Sequence, residues 1–354
     1  MQPDYAARRK RAVSAVADEH GADWLLVSSG VNVRYLSGFT GSAGALLLSD
    51  ASVFLATDGR YLEQAAGQAP DFEVVDSRKP ALTLLDRAKG RVAFEDETVS
   101  VAEYGTWAGQ AVELVGLGSL LRELRIPKDE YEMRQLRAAC EITDDAFAQM
   151  LDEVRLGWTE QQIALRLETL MRSCGAEDRA FDSIVAAGPN GSRPHHSPTD
   201  RPVAAGEFVT CDLGARVNGY HADMTRTFLL GKHGADWQDD VYQIVRAAQR
   251  VGRQALVPGV PAREVDAVTR QVMVSSGLGD AFPHSTGHGV GLEIHEPPLL
   301  GATGTGTIPE SSAVTVEPGA YLPGLGGVRI EDTLIVHRDG PELLTRTSKE
   351  LLVV

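Results

Sequence analysis

Apolar positions along this chain recur at two spacings, and the switches between them lay out its elements. Residues 4–20 carry apolar side chains at helical spacing, which predicts an amphipathic helix with its arginines on the outer face. Asp23-Trp-Leu-Leu-Val-Ser-Ser and Gly44-Ala-Leu-Leu-Leu-Ser read as buried strands. Ser52-Val-Phe-Leu-Ala-Thr completes a hairpin about Asp50-Ala51. Phe72-Glu-Val-Val and Arg91-Val-Ala-Phe follow as strands, with a helix around 81–89 between them. Strands alternating with helices predict a small α/β domain. Asn32-Val-Arg-Tyr-Leu-Ser-Gly-Phe-Thr-Gly-Ser42 reads as a glycine-punctuated loop.

A boundary falls near Arg125-Ile-Pro-Lys-Asp-Glu, because Pro127 disfavours helix just before it and Asp129-Glu130 suit a helix start after it. The expected domains are therefore 1–125 and 126–354. In the second, Met133, Leu136, Ala139, Ile142 and Phe147 mark a long helix over 129–153. Thr159 and Gln162 form a capping box that opens a helix reaching about 174. The strand Phe181-Asp-Ser-Ile-Val-Ala-Ala follows, then a Gly/Pro-rich loop over 188–202. Helices over 236–256 and 261–276 separate two strand-rich stretches. Helices followed by an acid-bearing hairpin thus occur twice, which predicts a pseudo-symmetric α+β domain.

The first of these stretches is Val209-Thr-Cys-Asp-Leu-Gly-Ala-Arg-Val-Asn-Gly-Tyr-His-Ala-Asp-Met-Thr-Arg-Thr-Phe228, with Asn218-Gly219 as its turn signal. A loop centred between Val217 and Asn218 makes Asp212 and Asp223 direct partners. A turn of Asn218-Gly219 alone puts Asp212 opposite Thr225 instead. Either way both carboxylates share a face, and like charges so close destabilise a sheet unless a cation or proton lies between them. In the second stretch, Glu317 and Glu331 lie symmetrically about Gly324 and can also meet across a hairpin. Four acids presented in pairs point to a hard, oxygen-rich cation site, and an added imidazole moves the choice toward transition metals. His284, His288 and His295 lie between the hairpins in a glycine-rich segment that disfavours helix and lets backbone approach a ligand closely. His195 and His196 sit in the upstream loop.

Length and charge narrow the remaining classes. The 354 residues suffice for two domains, and a formal net charge of −15 with a pI near 5.1 disfavours nucleic acid or an anionic membrane as partner. Cys140, Cys174 and Cys211 are too few and too scattered for a disulfide framework and fit a reducing cytosol. Alternation turns Cys211 away from the acids, as a packed small hydrophobe. The N-terminus lacks the apolar core of a signal peptide, so a cytoplasmic location is expected.

Taken in order, Asp212…Asp223, His284-x3-His288-x6-His295, Glu317-Pro-Gly and Arg329-Ile-Glu331 resemble the pita-bread metallopeptidases, and specifically their proline-specific branch of aminopeptidase P and prolidase. Asn32–Ser42 and Thr57-Asp-Gly-Arg-Tyr61 resemble that branch's creatinase-like N-terminal domain. The resemblance implies two divalent metal ions, manganese first and cobalt or zinc next, held by Asp212, Asp223, His288, Glu317 and Glu331. It implies Asp223 and Glu331 as bridging ligands and Glu317 as general base. His295 and His195 would meet the substrate and the reacting centre, with His284 and Arg329 in the pocket or behind the ligands. The implied reaction is hydrolysis of the Xaa-Pro bond of a proline-containing peptide, as an aminopeptidase P or alternatively a dipeptidase, by a homodimer whose N-terminal domain narrows substrate access. A non-catalytic peptide-binding protein and a metal-free amidinohydrolase of the creatinase type are rival readings, and the complete set of acids argues against both.

Overall fold

The computed structural model describes residues 2–354, and the chain divides into two compact units between Arg125 and Ile126. The first holds a six-stranded mixed sheet in the order 73–76, 53–57, 45–48, 24–27, 91–94, 113–116. Leu48 pairs with Val53, so the expected hairpin does turn about Asp50-Ala51. Leu26, Leu47, Leu84, Phe94 and Trp107 pack on the sheet as one core.

Two sequence expectations fail in this unit. The stretch 32–42 is not all loop: Gly30–Ser37 is a helix, closed by Gly38 at φ +80. Its start is held from far along the chain, because buried Glu95 accepts from Ser28 N (2.6 Å), Ser29 N (2.9 Å) and Asn32 Nδ2 (2.6 Å). The helix Tyr5–His20 forms, yet Arg8 and Arg9 on it are buried and do not face outward. Arg8 lies 4.4 Å over the Tyr35 ring and donates to Tyr35 O, and Arg9 donates to Leu36 O. Both arginines therefore occupy the carbonyl end of the 30–37 helix, where cations are favoured.

The second unit repeats one plan twice. Helix Glu130–Glu153 starts at a capping box of Asp129 and Glu132, a device contributing about 1 kcal/mol. Helix Glu160–Ser173 starts at the Thr159/Gln162 box. Both pack through Phe147, Met150, Ile163 and Leu167 onto a sheet of 184–187, 208–213 and 224–229. Each fully buried side chain of this size contributes about 1.5–3 kcal/mol. Cys211 lies in this core, turned away from the acids. In the second half, helices Asp236–Gln254 and Ala262–Ser275 cover the ribbon 313–335 through Tyr242, Val245, Val265, Met273 and their neighbours. No helix among the described residues is long and apolar enough to cross a membrane.

Candidate metal centre

The first ribbon takes the tight register. Asp212 faces Thr225, and beyond them Arg216 faces His221, so Asn218-Gly219 alone makes the turn. Both turn residues have positive φ, +46 and +76, as a type I′ hairpin requires. Asp223 falls in the gap between the paired stretches, where the ribbon opens. Its N–H donates to Thr333 Oγ1 (3.2 Å) and its carbonyl accepts from the same hydroxyl (2.7 Å). Gly214, across the gap, has no room for a side chain, because a Cβ there would lie 1.9 Å from Ala222 O.

The second ribbon is built the same way. Strands 313–316 and 332–335 pair with Val316 opposite Asp332, and strands 319–322 and 326–329 pair with Gly319 opposite Arg329. One register runs through both stretches, so Glu317 and Glu331 oppose each other in the interval. Threonines bind the two ribbons together: Thr227 donates to Arg329 O (3.0 Å), Thr225 donates to Glu331 Oε2 (2.7 Å), and Glu331 N donates to Thr225 O (3.1 Å). Asp212, Asp223, Glu317 and Glu331 are thereby drawn to one place.

A short strand, Gly287–Gly289, delivers the imidazole. A Cβ at Gly287 would sit 2.1 Å from Thr315 O, and one at Gly289 would sit 2.1 Å from Pro297 O, so only glycine lets this strand lie so close to its neighbours. His288 Nδ1 lies 3.0 Å from Gly289 O, which fixes the ring proton there and leaves the Nε2 lone pair free. That Nε2 faces Asp223 Oδ2 at 3.5 Å and Glu317 Oε1 at 3.4 Å. Ligand atoms of Asp223, His288 and Glu331 all lie within 4.8 Å of one another.

The electrostatics describe a cation site. Burial pushes His288 down to about 4, so its imidazole is neutral. Burial pushes Glu317 up to about 8. Burial and then the neighbouring carboxylates push Asp223 and Glu331 well above the usual range. Asp212 Oδ1 and Glu331 Oε1 are buried with no hydrogen-bond partner, a state that costs free energy unless something positive meets them. Four carboxylates, one neutral imidazole and two orphaned oxygens fit first-row divalent cations.

Around this cluster runs a chain of donors. Arg329 donates to Asp212 Oδ2 (2.7 Å), Thr225 Oγ1 (3.0 Å), Pro194 O (3.2 Å) and Tyr321 Oη (2.7 Å). Tyr321 Oη in turn lies 2.9 Å from His284 Nε2, and His284 Nδ1 lies 2.9 Å from Ser285 O. With Nδ1–H committed to Ser285, the tyrosine hydroxyl donates to His284. Burial pushes that imidazole down to about 4, which agrees with an accepting, neutral ring. Phe282 packs edge-on against His284 at 5.0 Å. His295 is exposed, its ring 4.5 Å from that of His288. His195 is exposed on its loop, while the adjacent His196 is buried against Glu160.

The sequence reading picked out the acids and histidines and missed what holds them. Tyr321, the threonines 225, 227, 315 and 333, and Glu160 carry no local signature of chemistry.

The metallopeptidase family M24 pattern matches residues 134–338, and the creatinase/prolidase N-terminal domain pattern matches residues 8–126. The chain belongs to metallopeptidase family M24. It has the family's pita-bread fold, preceded along the sequence by a creatinase-like domain. It is 34% identical to an Xaa-Pro dipeptidase of Pyrococcus furiosus over 95% of this chain and 97% of that one. An Xaa-Pro dipeptidase structure from Bacillus anthracis superposes with TM-score 0.94 at 36% identity, covering 99% and 100% of the two chains. An X-Pro aminopeptidase structure from Thermotoga maritima superposes with TM-score 0.90 at 34% identity, covering 98% and 99%.

Proposed function

We propose that this M24 peptidase hydrolyses the peptide bond before proline, with dipeptides as its preferred length, and that Asp212, Asp223, His288, Glu317 and Glu331 hold its divalent ions. The observation that carries the reading is the buried carboxylate cluster from two ribbons, with two of its oxygens unpartnered and a neutral imidazole aimed into it. Two bound ions would supply an activated water and a Lewis acid for the scissile carbonyl, with manganese the expected native metal.

The chain's own residues do the rest. Glu317, kept ionised by the ions it would hold, takes the proton of the attacking water as its oxygen bonds to the carbonyl carbon. His295 donates to the oxygen that gains charge as the carbonyl opens. The C–N bond then breaks, and Glu317 returns its proton to the departing proline nitrogen. Proline's amide has no N–H, so the pocket must read ring shape. His284, half-buried and backed by the buried rings of Phe282 and Tyr321, is a ring suited to that.

Arg329 is committed to Asp212, Tyr321, Thr225 and Pro194, which argues against its binding substrate. We assign it to holding Asp212. A dipeptide's carboxylate would then fall to His195, the exposed imidazole left at the rim. Two relatives named as dipeptidases at 34% and 36% identity support the dipeptide length. The sequence resemblance leaned toward aminopeptidase P, and the Thermotoga maritima structure favours that second reading. Manganese-reconstituted protein should release proline from Xaa-Pro faster than it trims Xaa-Pro-Xaa. Faster cleavage of the tripeptide would install the aminopeptidase reading, and no cleavage of either would remove both.

A further inference from the structure

His195 sits between two anchored neighbours. On one side, Pro194 O accepts from Arg329 Nη1 at 3.2 Å, and Gly191 presses so close to the second ribbon that a Cβ on it would lie 3.0 Å from Gly327 N. On the other side, His196 Nε2 lies 2.8 Å from Glu160 Oε2. Glu160 is wholly buried at the first turn of helix Glu160–Ser173, and its carboxylate is saturated. Oε1 accepts from Ala187 N (2.8 Å) and Asn190 Nδ2 (2.9 Å). Oε2 also accepts from Thr199 N (3.0 Å) and Thr199 Oγ1 (2.6 Å). One side chain therefore fastens the loop where it leaves the strand at Ala187, in its middle, and where it returns at Thr199.

We propose that Glu160 is a positioning residue for the Xaa-Pro reaction: it clamps the 188–199 loop so that His195 is held at the rim of the metal centre against the Arg329 anchor. This rests on the function proposed above. The physical case is one of fit. A buried carboxylate can stay charged here only because five donors meet it, and its hydrogen bonds are of the stronger, charge-assisted kind. A loop with glycines at 188 and 191 and prolines at 189 and 194 has no regular ladder of its own, so its shape must come from such outside partners. Glu160 touches no substrate and acts only through His195.

A double-mutant cycle tests this. Glu160→Gln keeps the volume but turns an N–H2 toward two of the five donors. It should leave metal content unchanged and weaken catalysis about 10–100-fold, the scale of a small misplacement of a working group. The loss should fall on KM, as for His195→Ala, because His195 anchors substrate. Combining the two should cost no more than about twofold beyond His195→Ala alone. Multiplying effects in the double variant, or wild-type kinetics for Glu160→Gln, would overturn the proposal. A second measurement does without turnover: NMR relaxation of the His195 imidazole should show a mobile ring in Glu160→Gln and an ordered one in the wild type. An ordered ring in both would refute the clamp. Should Glu160→Gln not fold, Thr199→Val removes a single one of the five bonds and should move KM and ring order the same way by less. Wild-type protein that cleaves no Xaa-Pro bond would sink the proposed function, whereas an additive cycle in an active enzyme would sink only this inference.

Discussion

Asp223→Asn should have opposite effects on the metal-free and the metal-loaded protein. In the free protein Asp223 lies with ligand atoms of Glu331 and His288 inside 4.8 Å, buried and beside other carboxylates. Two full charges at that separation repel by about 3.5 kcal/mol at an effective dielectric of 20. The wild type escapes part of this by holding a proton, which is why burial and neighbours drive Asp223 upward. The substitution removes the remainder, so the metal-free variant should be more stable than metal-free wild type by up to about 3 kcal/mol. With metal the order reverses. One ion at a hundred times its dissociation constant stabilises the wild type by about 2.7 kcal/mol. For a unit of this size that is a rise of roughly 5–10 °C in melting temperature. The variant should show almost none of that rise. Calorimetry on chelated and manganese-loaded samples, with metal content measured on each, reads both signs. A variant that keeps the full metal-dependent rise, or whose metal-free form is the weaker one, would refute the reasoning.

Three further outcomes follow from the same geometry. Arg329→Lys loses the fork that reaches Asp212, Thr225 and Tyr321 together, so metal affinity and kcat/KM should each fall about 10–100-fold, and a variant within twofold of wild type would contradict this role. Glu317 is raised to about 8 in the metal-free protein, so the folded state binds a proton that the unfolded state has lost. The metal-free protein should therefore lose stability from this group as pH rises from about 4.5 to about 8, while bound metal flattens the profile, and proton release on manganese binding near pH 7 measures the same linkage by calorimetry. Gly287→Ala forces a Cβ onto Thr315 O, so urea unfolding should show a loss of about 1–3 kcal/mol together with weaker metal binding through His288, and an unchanged midpoint would argue against the close strand approach.

What could be read from the sequence was what short-range geometry decides. Symmetry about Gly324 sets Glu317 opposite Glu331, a local fact, whereas the Asn-Gly signal allows two registers for the first ribbon and the structure takes the one with Asp212 opposite Thr225. The capping boxes at Asp129 and Thr159 mark their helices for the same reason. The failures lie where a distant partner decides. The helix Gly30–Ser37 was hidden because Glu95, 63 residues beyond Asn32, holds its first turn. Arg8 and Arg9 look like solvent-facing charges until the carbonyls and rings of that helix are placed beside them. His195 and His196 are indistinguishable as neighbours in one loop, and only the reach of Glu160 separates the buried ring from the exposed one. Arg329 was legible as part of the site, but its four hydrogen bonds, and hence its part in holding Asp212, required the fold.

Anomalous diffraction at the manganese edge, from crystals of the reconstituted protein, bears most directly on the claim that two β-ribbons pool their carboxylates around divalent cations. Two peaks bracketed by Asp212, Asp223, His288, Glu317 and Glu331, and lost in Asp223→Asn, are the expected result. Manganese bound elsewhere, or none bound while the carboxylates stay clustered, would contradict the account.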